Sequence, residues 1–277
     1  MKIQHSHVQL PCAVLTQFRD NETTEKKVWA LYLQSGDILK KSDKHLGTES
    51  NYFSATTEQY LNSKVESQSS RLFSKIRKSI SPDGTCSAAL SENDELTLKC
   101  YIKNMMARSE LARYSFISSR SETLAQFWIS YSDNDLLVRF YDSKPTAIDT
   151  ILSDMRMVIV LNKTSHYFVV PRNAFYTFSC EGGDGFMVPI TPKIALALVP
   201  EESCSKAGDV FRAITDEQEL YYLNKRALTM EFVFNEKFVA SCRKSELEEL
   251  AALLKRERVS FEKYKASMGV KNYRIKN

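Results

Sequence analysis

Residues 158–199 read VIVLNKTSHYFVVPRNAFYTFSCEGGDGFMVPITPKIALALV. Short runs rich in Val, Ile, Phe and Tyr alternate here with Asn162-Lys163, Pro171-Arg172-Asn173, Gly182-Gly183-Asp184-Gly185 and Pro192. β-branched and aromatic runs broken by Gly, Pro and Asn are the mark of strands joined by tight turns. The glycine cluster has no following Lys-Ser or Lys-Thr and no helix pattern after it, so it reads as a hairpin turn and not a phosphate loop. This stretch decides the class, because the chain before it has a different period.

Upstream, apolar residues recur at helical spacing. Tyr60, Leu61, Val65, Leu72, Phe73 and Ile76 predict a helix over 57–79. Leu96, Tyr101, Met105, Met106, Ala112 and Phe116 predict another over 92–118. Further helices are expected over 121–131 and 146–157, the latter opened by Pro145. Near the start, VWALYL at 28–33 reads as a strand that returns through a Gly36-Asp37 turn into Ile38-Leu39. Downstream, helices are expected over 216–228 and 245–264, with Ser245 and Glu248 at capping-box spacing. Phe232, Phe234 and Phe238 alternate between these two helices and suggest an edge strand. The expected fold is therefore α+β: a helical N-terminal two-thirds packed with a small, mainly antiparallel sheet, and closing C-terminal helices. One domain over 1–254 (helical part about 57–157, sheet part about 158–200) precedes a basic tail over 255–277.

Composition bounds the class. Of 277 residues, 43% are apolar and 26% charged, as in an ordinary globular domain. There is no apolar run of about eighteen residues and no basic region followed by an apolar one, which predicts no membrane span and no secretory signal. The six cysteines are scattered without a C-x-x-C pair, which suits reduced thiols and a cytoplasmic location and argues against a structural zinc site. No Walker loop, dinucleotide fingerprint or G-x-S-x-G is present.

Charge is unevenly placed. Residues 255–277 carry Lys255, Arg256, Arg258, Lys263, Lys265, Lys271, Arg274 and Lys276 against Glu257 and Glu262, while the rest of the chain is slightly acidic. Basic residues interleaved with Phe261, Tyr264 and Tyr273 can hold phosphates and stack bases. The same residues also suit a solvated helix end, where the dipole favours cations.

Chemically useful side chains gather in HSHVQLPCAVLTQF, residues 5–18. In extended chain His5, His7 and Gln9 share one face, with alternate Cα atoms roughly 6.5 Å apart. Two imidazoles there can share a divalent metal, given further ligands from elsewhere, or divide acid and base roles. They can equally hydrogen-bond to a neighbouring element. His45, in a later loop, is a candidate partner for either.

The order of these segments resembles the bacterial DUF4238 family, a domain of unknown function. Its opening motif, close to HHYVPQFYLRNF, is matched by His5, His7, Val8, Gln9, Leu15 and Phe18. Its arginine motif, close to RTPxxR, is similar to RSELAR here, with Arg108 and Arg113 kept and the proline lost. Its FITSDNPV segment corresponds to FVVPRNAF, where Asn173 survives and Pro171-Arg172 replace Ser-Asp. Its PLSP turn resembles Pro189-Ile190-Thr191-Pro192, and a late helical asparagine matches Asn224. The resemblance spans about residues 5–255 and implies an α+β fold and little about activity. The missing aspartate puts any carboxylate-dependent metal chemistry in this member in doubt.

Two functional readings follow. The first is a toxin-like or defence effector acting on nucleic acid, with His5, His7 and Gln9 as base or ligands, Arg108 and Arg113 holding phosphate, Asn173 in support, and the tail supplying affinity. It requires the histidines and at least one arginine to converge. The second is a non-catalytic interaction module with a protein partner, in which the histidine cluster is structural.

Overall fold

The computed structural model describes residues 5–20, 22–50, 52–109, 135, 138, 147–204, 210–233 and 237–267. The helix expected over 121–131 and the end, past residue 109, of that expected over 92–118, together with Arg113, Phe234, Lys271, Arg274 and Lys276, lie outside these residues.

The chain is α+β, but its helices are not gathered into an N-terminal two-thirds. Four strands precede the first long helix: β1 (His5–His7), β2 (Lys27–Tyr32), β3 (Ile38–Ser42) and, directly before it, β4 (Thr48–Ser50). Helix α1 (Cys12–Leu15) lies between β1 and β2. Helix α2 (Ala55–Tyr60) then runs through a π-helical segment, Leu61–Glu66, into α3 (Ser67–Ser79). Helix α4 (Glu92–Ala107) follows, closed at its N-terminus by a reciprocal Ser91/Asp94 capping box. Helix α5 (Ala147–Ser153) leads into β5 (Met155–Asn162), β6 (Val170–Pro171), β7 (Tyr176–Cys180), β8 (Gly183–Pro189) and β9 (Ile194–Pro200). After β10 (Phe211–Ile214) come α6 (Glu217–Val233), β11 (Phe238–Ser241) and α7 (Lys244–Ser267).

Nor is the sheet confined to 158–200. One sheet has the order β10-β5-β9-β8-β7 and another β3-β2-β11-β6, while β1 and β4 form a separate ribbon. All these pairings are antiparallel except β10 on β5. The reason is physical: β10 and β11 are four residues each, too short to show a period, and one of the two neighbours of β2 lies beyond residue 237. Strand β11 is not an edge but sits between β2 and β6, and Phe232 belongs to α6.

The central sheet is covered on both faces, so β5 is an unbroken apolar run and not an alternating one. Met157, Ile159 and Leu161 point to one core with Leu72 and Ile76 of α3 and Leu98 and Ile102 of α4. Val158 and Val160 point to a second core with Leu220 and Leu223 of α6 and Leu250 and Leu254 of α7. The glycine cluster does turn the chain: Glu181-Gly182 link Cys180 to its partner Gly183, and Gly182 takes a φ of 80°.

Helix α7 starts at Lys244, with Ser245 already inside it, and the Ser241 hydroxyl accepts from the Arg243 N–H just before. It continues unbroken across residue 255, so the first half of the basic stretch is helix. Arg258 donates through Nη2 to the carbonyls of Leu33 (2.6 Å) and Gln34 (3.0 Å), and Lys265 is buried over the Phe232 ring. Lys255, Arg256 and Lys263 are exposed. All six cysteines are free thiols. Among the described residues, no helix is long and apolar enough to cross a membrane.

Candidate functional site

The β1–β4 ribbon sets His5 opposite Ser50, Ser6 opposite Glu49 and His7 opposite Thr48. The side chain of His5 lies outside what the structure describes. Beyond His7 the chain leaves the strand, and Gln9 becomes fully buried. Its Nε2 donates to the carbonyl of Arg108 at 2.8 Å, joining the opening stretch to the end of α4.

The Arg108 side chain is 0% exposed and its Nη1 donates to Oε1 of Glu66 at 3.0 Å; Glu66 itself is 23% exposed. Glu66 is the last residue of the π segment. Arg108 also lies 5.9 Å from the Phe53 ring centre. One face of α4 brings Tyr101 to the same place, its ring set edge-on to Phe73 at 5.2 Å. Burial pushes the Tyr101 phenol far above its usual pKa, Glu66 adding to the rise and Arg108 opposing it.

His7 is half-buried beside this group. Burial holds its imidazole below the ordinary histidine pKa; Glu66, Asp43, a backbone hydrogen bond at Leu10 and Glu58 pull it part of the way back. Asp43 is buried and receives Arg19, whose Nε lies at 2.7 Å. Cys12 lies close to Asp43, but burial first and the Asp43 charge next raise its thiol pKa, which keeps it protonated and a poor nucleophile. His45 is exposed in the turn before β4.

Polar atoms of this cluster that are buried without a hydrogen-bond partner among the described residues include His7 Nδ1, Asp43 Oδ1, the Tyr101 hydroxyl, and Nε and Nη2 of Arg108. Nearly all buried polar groups in folded proteins are paired, so each exception calls for an explanation.

Asn173 belongs to a second cluster. Its N–H donates to Oε1 of buried Glu231 at 3.2 Å, next to Ala174 at a left-handed φ of 64°. The neighbouring Arg172 guanidinium meets Glu49 at 2.9 Å, and Lys237 reaches the same carboxylate at 2.6 Å. The structure thus brings His7, Gln9 and Arg108 together, while Asn173 is tied to the ribbon through Arg172 and Glu49.

Sequence reading missed Glu66, Tyr101, Asp43 and Arg172. The one usable signal was Arg108 standing seven residues after Tyr101, in line with an apolar stripe. A buried arginine there requires a carboxylate from a facing helix.

Two concavities lie elsewhere. One of about 270 Å³ between α6 and α7 is lined by His166, Glu217, Tyr221, Asn224, Glu246 and Glu249 among others. Here Asn224 fixes the 163–169 loop by accepting from the Val169 N–H and donating to the Tyr167 carbonyl. Glu246 holds His166 at 3.3 Å. The other, a shallow groove of about 470 Å³, follows α2 and the π segment past Glu58, Asn62, Ser63 and Ser67. Among the described residues, no group of three or more His, Cys, Asp or Glu side chains is arranged to hold a metal ion.

A pH series tests the environment of His7. Because its folded pKa lies below the free value of about 6.5, the folded state binds fewer protons than the unfolded chain as pH falls. Its contribution is complete above the free value and is lost as pH drops toward the folded one. The urea midpoint of the parent should therefore fall between pH 7.5 and pH 5 more steeply than that of His7→Gln. Parallel slopes would show that His7 is not the titrating group.

Compared with family models, curated proteins and solved structures, this chain finds no match in any of the three.

Proposed function

We propose that this chain is a toxin-like or defence effector acting on nucleic acid, centred on His7 and Arg108. One observation carries the reading: His7, Gln9, Glu66 and Arg108, drawn from distant parts of the chain, meet in one cluster whose polar atoms are incompletely paired. A cluster kept only as scaffolding gains its stability by saturating its donors and acceptors; this one leaves two guanidinium nitrogens and an imidazole nitrogen without partners among the described residues. A histidine held neutral by burial is suited to accept the proton of an attacking water or hydroxyl. A guanidinium is suited to face the charge that builds on phosphorus. The exposed Lys255, Arg256 and Lys263 add affinity for the backbone, and the motif order shared with DUF4238 belongs to the same proposal.

A second reading, a non-catalytic interaction module, is favoured by one observation. Arg258 and Lys265, two of the cations assigned to nucleic acid, are used inside the fold.

One experiment separates them. Labelled single-stranded RNA, single-stranded DNA and duplex DNA are incubated with the full chain in Mg²⁺, Mn²⁺ or chelator, beside the His5→Ala/His7→Ala double variant. Cleavage by the parent and its loss in the variant are expected. An intact substrate in every condition, or equal cleavage by both proteins, would overturn the effector reading in favour of the module.

A further inference from the structure

The guanidinium of arginine carries five N–H donors in a fixed plane. In Arg108, Nη1 is committed to Glu66. Its Nε and Nη2 form the parallel, side-on pair that grips a carboxylate or phosphate with two bonds at once. That pair is buried and has no partner among the described residues, and neither has the Tyr101 hydroxyl. Both residues are closed off from solvent.

Their placement is shared. Tyr101 lies in α4 and Arg108 caps its C-terminus, seven positions on and about 10 Å along the axis. The charges of Arg108 and Glu66 both act on the Tyr101 phenol, which places the three heads near one another. Both sit beneath the helix that bears Glu66 and Phe73.

We propose that the side-on edge of Arg108 and the Tyr101 hydroxyl form a receptor for one phosphate group, and that the Glu66 carboxylate, held on Nη1, balances the Arg108 charge until that phosphate arrives. The inference rests on reading this cluster as functional. Charge explains the exchange. Arg108 with Glu66 is neutral, and a phosphate added beside an intact pair would bury a net negative charge, which is costly. The anion therefore enters by displacing Glu66. That residue is partly exposed and ends the π segment, where the Ser67 N–H and hydroxyl both reach back to the Asn62 carbonyl. π turns are rare, recur at functional positions, and sit close in energy to ordinary helix. Closing this one turns Glu66 by about 100° away from Arg108. The shallow groove past Asn62, Ser63 and Ser67 gives an approach to that turn.

The test uses inorganic phosphate and the full chain, with calorimetry for affinity and thermal unfolding for stability. Phosphate should bind the parent and raise its melting temperature, with sulfate weaker. Glu66→Gln should bind phosphate roughly tenfold more tightly, because the competing charge is gone. Tyr101→Phe should bind about tenfold more weakly, through loss of one hydrogen bond to a charged ligand. Arg108→Lys keeps the charge but loses the fork, and should abolish binding while remaining folded. No thermal response in the parent and in Glu66→Gln, or equal affinity in Tyr101→Phe, would overturn the receptor. Competition by a 5′-phosphorylated oligonucleotide would identify nucleic acid as the source of the phosphate. Phosphate binding that oligonucleotides leave untouched would keep the receptor and retire the nucleic-acid reading. Cleavage that depends on the histidines without any phosphate response would do the reverse.

Discussion

Glu66→Ala should destabilise the fold by about 3 kcal/mol, and by more than Arg108→Met does. The asymmetry comes from exposure. Removing the carboxylate strands a guanidinium whose side chain is 0% exposed, whereas removing the guanidinium leaves a carboxylate that water already reaches. Methionine is unbranched and apolar, and adapts to much of the space the arginine filled. The Gln9 bond survives in both variants, since it goes to the Arg108 backbone. Urea unfolding of the two variants at one pH decides it. A larger loss for Arg108→Met would mean that the arginine acts mainly through packing.

Gly185→Ala is the second large effect, expected to cost about 2–3 kcal/mol. Gly185 faces Phe178 across the β7–β8 pair. A Cβ there meets two ring carbons of Phe178 at 2.8 Å and the Leu198 carbonyl oxygen at 2.9 Å. The ring is buried and the carbonyl belongs to the backbone of β9, so neither can yield cheaply. Gly36→Ala is the control. Its φ of 81° is unfavourable for alanine, but nothing lies within 4 Å of the added atom. That substitution should cost only about 1 kcal/mol. Thermal melts that fail to rank the two in this order would show that the sheet absorbs the added methyl.

How far the sequence could be read depended on the range of each interaction. The strand in VWALYL, the Gly36-Asp37 turn and the strands of 158–199 were visible, because turn chemistry and side-chain period are local. The start of α4 at Glu92 was visible for the same reason. The π segment was not, since its extra residue only shifts the phase of a stripe that still reads as helix on either side. Nor could any local pattern join β2 to β11, or assign Glu66 to Arg108 and Glu49 to Arg172. The opening stretch pointed to the right neighbourhood through His7 and Gln9. It could not show that the carboxylate completing the group would come from a helix read as amphipathic and unremarkable. The tail illustrates the opposite error: charge was legible, but not that Arg258 and Lys265 would be spent on a turn and an aromatic ring.

The seating of β11 between β2 and β6 also governs how the molecule is made. On a ribosome, β2 emerges long before β11, the strand that completes its sheet, and α7 follows β11. At roughly 5–20 residues per second, the wait between residues 32 and 238 is on the order of ten seconds or more. Throughout that time one edge of β2, bearing Trp29 and Leu31, has no native neighbour. An open apolar edge is a template for pairing with other chains. A nascent chain halted before β11 is thus a client for chaperones, and the same chain once α7 has closed over the sheet is not.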